Sequence, residues 1–124
     1  MTRAHNGAAR ILVVDADPAL LDLLEEWLGE QGFRVVAEGE ASVRNDFDLA
    51  IVDVPFPRNG GLARLKRVAE SHPGVPVLAL SSNFFAGVAS TGVVARALGV
   101  AGALAKPLSR DALLAAVSEL LRAQ

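Results

Sequence analysis

Short apolar runs alternate with amphipathic stretches along the chain. Residues 11–14 form a continuous aliphatic run stopped by Asp15, the pattern of a strand buried on both faces of a parallel sheet. Leu20, Leu21, Leu24, Trp27 and Leu28 then recur at helical spacing, with Asp22, Glu25, Glu26 and Glu30 on the other face. Asp17 before Pro18 fits an N-cap followed by a proline in the first turn, and Gly32 suits the C-terminal cap. The first unit is thus strand, acidic turn, helix.

The pattern repeats. Residues 33–37 are a second strand, but residues 39–46 leave room for little more than one helical turn, so the second crossover is expected to be shortened. Residues 49–52 are a third strand ending at Asp53, followed by a loop marked by Pro55, Pro57, Gly60 and Gly61. Leu62, Leu65, Val68 and Ala69 supply the next helix with a buried stripe, Arg64, Lys66 and Arg67 lie outside it, and His72-Pro73-Gly74 ends it. Residues 77–80 are a fourth strand ending at Ser81. A long loop with Phe84 and Phe85 and a helix within 90–98 lead to a weak, Ala-rich fifth strand at 101–105, which ends at Lys106-Pro107. Ser109 can cap a last helix carrying Leu113, Leu114, Val117, Leu120 and Leu121. Five strands alternating with helices predict one α/β domain, a parallel sheet with helices on both faces.

Composition narrows the functional classes. The 124 residues fit one domain, and 52% hydrophobic residues exclude wholesale disorder. A net charge of −2 offers nucleic acid no general attraction. The absence of cysteine removes disulfides, thiolate metal sites and a cysteine nucleophile, which fits a reducing compartment. Residues 1–10 are expected to be a disordered tail and 11–124 the domain, with no targeting core and a cytoplasmic location. Residues 71–95 carry no formal charge, yet Pro73, Gly74, Pro76, Gly87 and Gly92 interrupt them, so no membrane span is expected. The small total charge conceals a polarised chain, −9 over residues 11–57 and +5 over 58–124. Part of the acidic excess falls on the first helix, a candidate protein-docking face.

In an open α/β sheet, functional groups gather outside the carboxyl ends of the strands, where the strand order reverses. Asp15, Asp53, Ser81 and Lys106 stand at those ends. Two carboxylates about 4 Å apart repel by about 4 kcal/mol at an effective dielectric of 20, so Lys106, magnesium or both must balance them. Asp53 could then act as a carboxylate nucleophile towards phosphorus, with Ser81 donating to one phosphoryl oxygen and Lys106 neutralising another.

On these residues the sequence resembles the receiver domains of two-component response regulators. The matching stretches are ILVVDADPALLDLLEEWL at 11–28, DLAIVDVPFPRNGGL at 48–62, PVLALSS at 76–82 and AKP at 105–107, in the family's order and over nearly the whole chain. The resemblance implies a flavodoxin-like doubly wound fold with strand order 2-1-3-4-5. It implies phosphorylation of Asp53 by a histidine kinase or phosphotransfer protein, sensing by Ser81, pairing by Lys106, and magnesium held by Asp15, Asp53 and the carbonyl of Pro55. Beyond moving a phosphoryl group to and from its own Asp53, no enzymatic activity is implied, and the downstream partner is another protein.

Two departures open an alternative. Ala16 stands where the family's second acidic metal ligand is expected, which weakens magnesium binding, and Ala103 stands where an aromatic switch residue is expected. The chain is therefore expected to be either a phosphorylated single-domain regulator or a phosphorylation-independent interaction module. Flavin or nucleotide binding is a weaker third reading, because the loop after the first strand is acidic and lacks glycine.

Overall fold

A computed structural model describes residues 9–14, 16–38, 47–54, 62–81, 100–106 and 108–122. The elements run β1 (Arg10–Val14), α1 (Pro18–Gly29), β2 (Arg34–Ala37), β3 (Leu49–Asp53), α2 (Leu62–Ser71), β4 (Val77–Ser81), β5 (Gly102–Ala105) and α3 (Arg110–Arg122). All strand pairs are parallel, and the order across the sheet is β2-β1-β3-β4-β5. The direction of winding reverses between β1 and β3, which opens a crevice at their carboxyl ends.

Strand periodicity sorts the core into two layers. Ile11, Val13, Leu49, Ile51, Leu78 and Leu80 face one side, where Leu24 and Leu28 of α1 and Leu113 and Val117 of α3 pack on them. Leu12, Val14, Ala50, Val52 and Ala79 face the other side, against Leu65 and Val68 of α2. Helices thus cover both faces, as the sequence pattern predicts. Each buried leucine contributes about 1.5–3 kcal/mol relative to leaving it exposed.

The helix ends follow local chemistry. Asp17 Oδ1 accepts a hydrogen bond from the Leu20 N–H at 2.8 Å, and Ser109 Oγ accepts one from the Ala112 N–H at 3.0 Å. Beyond α1, the Phe33 N–H donates to the Leu28 carbonyl and the Gly32 N–H to the Gly29 carbonyl. Gly32 has a φ of 88°, so this is a Schellman closure at a position that strongly favours glycine. At the amino end of the sheet, the Arg10 N–H donates to Asp48 Oδ2 at 2.9 Å, and the Arg10 guanidinium lies over the Phe47 ring.

Several element ends differ from the sequence pattern, and β2 and β5 begin at Arg34 and Gly102, one residue later than the apolar runs that start at Phe33 and Ala101. β3 and β4 each run one residue further, because the ladder continues through Asp53, opposite Leu80, and Ser81, opposite Ala105. A strand end follows backbone pairing rather than side-chain polarity. β1 begins at Arg10, and Ala9 before it is buried with its carbonyl accepting from the Arg34 N–H. Ala69, expected on the buried stripe of α2, is exposed, whereas Arg64 on the opposite flank of that stripe is partly buried. The expected short turn at 39–46, the aromatic loop with Phe84 and Phe85, and the helix within 90–98 lie outside the described residues. No helix among the described residues is long and apolar enough to cross a membrane.

Candidate functional site

Asp53 and Lys106 meet at the carboxyl end of the sheet. Asp53 closes β3, and Lys106 directly follows β5, two strands away. Lys106 Nζ lies 2.7 Å from Asp53 Oδ1, with side-chain exposures of 27% and 13%. The strands fix both Cα positions, so the side chains need only extend across the end of β4 to meet. Asp53 Oδ1 is buried and accepts no hydrogen bond of good angle. The lysine is therefore an ionic neighbour that leaves lone pairs of the carboxylate available.

The other expected site residues are distributed unevenly. Ser81 ends β4 beside this pair, its backbone set by the pairing with Ala105; its side chain, like Asp15, Pro55 and Pro107, lies outside the described residues. Ala16 packs against the layer under α1 and brings a methyl group where an acid was expected. Asp17 does not offer an idle carboxylate in its place, because Oδ1 already caps α1. Ala103 is 1% exposed and pairs with Ala79 in β4, so two small residues meet within the sheet. No aromatic ring is available at position 103 to change its packing.

Arg64 is the residue that reasoning from sequence missed. Its Nη1 donates to the main-chain carbonyl of Asp53 at 3.0 Å, joining α2 to the end of β3. A signal was present, since Arg64 precedes Val68 by four residues and so shares its side of the helix. The expectation of an exposed cation hid it. The acidic face of α1 also carries less net charge than the sequence implied. Arg110 Nε and Nη2 both donate to Glu30 Oε1, at 3.2 and 2.9 Å, which ties the end of α1 to α3 and offsets one charge of a face on which Asp22, Glu25, Glu26 and Glu30 are all exposed.

Among the described residues, no three His, Asp or Glu side chains gather into a metal site. The donor chemistry at Asp53 nevertheless suits a hard cation. Its carboxylate is mostly buried, and Oδ1 has no hydrogen bond to satisfy it. Oxygen donors of this kind match magnesium, which keeps several waters and needs few protein ligands.

Comparisons with known proteins agree with this architecture. The family model described as "Response regulator receiver domain" matches residues 11–118. Transcriptional regulatory protein GlrR of Escherichia coli (strain K12) is 34% identical over 119 residues, covering 91% of this chain and 26% of that protein. Transcriptional regulatory protein CpxR of Klebsiella pneumoniae is 33% identical over 118 residues, covering 91% of this chain and 49% of that protein. The chain thus spans half or less of the length of these relatives. A crystal structure of a response regulator from Thermotoga maritima superimposes with a TM-score of 0.74 at 26% identity, covering 93% of this chain and 98% of that one.

Proposed function

Since the chain belongs to the response regulator receiver domain family, we propose that Asp53 accepts a phosphoryl group from a histidine kinase or phosphotransfer protein in a two-component phosphorelay. The observation that carries this reading is the ion pair between Asp53 and Lys106 at the carboxyl end of the sheet. An Asp53 carboxylate oxygen attacks phosphorus, forming an acyl phosphate as the bond from phosphorus to the donor breaks and the donor leaves with that electron pair. Lys106 shifts from the carboxylate to a phosphoryl oxygen, and the Ser81 hydroxyl donates to another. Catalysis is then mostly positioning and charge neutralisation. Asp15, Asp53 and the Pro55 carbonyl would hold magnesium, which when bound neutralises charge on the phosphoryl oxygens. Ala16 lowers the affinity for it. The site operates in the cytoplasm, and the phosphorylated surface is read by a downstream protein.

A second reading, an interaction module that works without phosphorylation, draws support from Ala16 and from the buried Ala103. Intact-mass analysis after incubation with acetyl phosphate and saturating magnesium separates the two. The proposed reading expects a phosphoryl adduct on the wild type and none on Asp53→Asn. A wild type without adduct leaves the interaction module as the function.

A further inference from the structure

We propose that Arg64 is a positioning residue for the phosphoacceptor: by holding the main-chain carbonyl of Asp53, it fixes the backbone from which the carboxylate projects. This rests on Asp53 being the phosphoacceptor and names a residue that sets the geometry of that site without touching the phosphoryl group. Arg64 Nη1 donates to the Asp53 carbonyl at 3.0 Å in a partly buried contact. The next group along the chain, the Val54 N–H, donates to the Leu80 carbonyl of β4 at 2.7 Å. The peptide joining Asp53 to Val54 is therefore held on both sides, by the sheet at its N–H and by α2 at its carbonyl.

The place of this contact in the sheet explains why it matters. In a trans peptide the N–H and the carbonyl point in opposite directions, so with the Val54 N–H turned to β4 the Asp53 carbonyl points towards the β1 side. The register of β1 with β3 ends at Val14 opposite Val52, one residue short of Asp53. The carbonyl thus stands just beyond that ladder, where the strand order reverses, and the arginine supplies a donor there. Holding the peptide plane fixes ψ of Asp53, and the rotamers open to a side chain depend on φ and ψ. The bond from Arg64 therefore bears on where the carboxylate points, on its 2.7 Å contact with Lys106, and on its alignment with phosphorus.

The anchor for the arginine is rigid. Leu65, next to it on α2, and Val68, one turn further, are both buried in one layer with Val52 and Val54. From that platform the guanidinium presents its donors in a planar fork, which locates the oxygen in direction as well as distance. Arg64 acts through the Asp53 backbone and neither gains nor loses a proton in the transfer.

The test compares wild type, Arg64→Met, Arg64→Lys and Val68→Ala as full chains, at a temperature where thermal melts show all four folded. Methionine keeps an apolar stem and removes the donors, and lysine keeps a donor on a stem of similar length. Val68→Ala loosens the same helix from the sheet without touching the Asp53 carbonyl. Intact-mass time courses with acetyl phosphate at saturating magnesium give the maximal rate of adduct formation and the half-saturating donor concentration. Arg64→Met is expected to lower the maximal rate by about tenfold to a hundredfold, with half-saturation within about twofold of the wild type. Arg64→Lys should recover part of the rate, and Val68→Ala should keep the wild-type rate despite a lower melting temperature. In the unphosphorylated proteins, the Asp53 ¹³C′ and Val54 ¹⁵N signals should move in Arg64→Met and return towards the wild-type positions in Arg64→Lys. An unchanged maximal rate in Arg64→Met, an equal loss in Val68→Ala, a loss confined to half-saturation, or no recovery in Arg64→Lys would each overturn the assignment, as would Asp53 and Val54 signals that do not move. A wild type that forms no adduct removes the phosphoacceptor reading itself, whereas unmoved Asp53 and Val54 signals, read without any phosphodonor, remove only the role of Arg64.

Discussion

Lys106 Nζ sits 2.7 Å from Asp53 Oδ1, linking the carboxyl ends of β5 and β3 across β4. Because Asp53 is only 13% exposed, the pair has structural as well as chemical weight. Lys106→Met leaves that carboxylate without its cation, and a loss of about 1–3 kcal/mol in unfolding free energy is expected. Urea denaturation measures it. The double variant Asp53→Asn with Lys106→Met should recover most of the loss, because no unpaired charge remains at the strand end.

Ala16 gives a prediction about metal affinity. An acid at this position adds an oxygen ligand beside Asp53, so Ala16→Asp should tighten magnesium binding by roughly tenfold or more, at least the effect of residues that only support metal ligands. Isothermal titration calorimetry reads the change. Equal affinity in both proteins would mean that water or another oxygen already fills the place.

The two contacts at the ends of α1 should differ in energetic value. Asp17→Ala removes the acceptor for the Leu20 N–H and should cost about 1 kcal/mol. Arg110→Ala breaks the contact with Glu30, but those side chains are 43% and 47% exposed, so about 0.5 kcal/mol is expected. Thermal melts at low and high salt separate them further. The difference between wild type and Arg110→Ala should shrink at high salt, and that for Asp17→Ala should persist more fully.

Gly102 reports how closely α3 packs on the edge of the sheet. A Cβ added there would lie 3.2 Å from Leu78 Cδ1 and 3.3 Å from Leu120 Cδ1. Gly102→Val introduces three carbons into that contact, and overpacking is expected to lower stability by about 1–3 kcal/mol. Pairing with Leu120→Ala should relieve part of the strain, which a double-mutant cycle in urea would reveal as coupling.

Much of the architecture was legible without coordinates because it rests on local chemistry. Apolar runs ending in Asp53 and Ser81, the cap at Asp17, the closure at Gly32 and the stripes of α1 and α3 all depend on residues close in sequence. The candidacy of Asp53 and Lys106 was legible for the same reason, since each directly follows an apolar run. What sequence spacing could not settle was which flank of α2 turns inward. Arg64 and Ala69 lie symmetrically about the line through Leu65 and Val68, and only the approach of α2 to β3 decides between them.

By itself, then, the amino-acid sequence determined the alternation of strands and helices, their caps, and the charged residues at the strand ends, because periodicity and capping act over a few residues. The tertiary structure decided the contacts between residues distant in the chain. It brought Lys106 onto Asp53, turned Arg64 to the Asp53 carbonyl, and paired Arg110 with Glu30, which the sequence had placed on an open acidic face. Such contacts depend on the register and layering of whole elements, and those are set only when the two faces of the sheet are buried together.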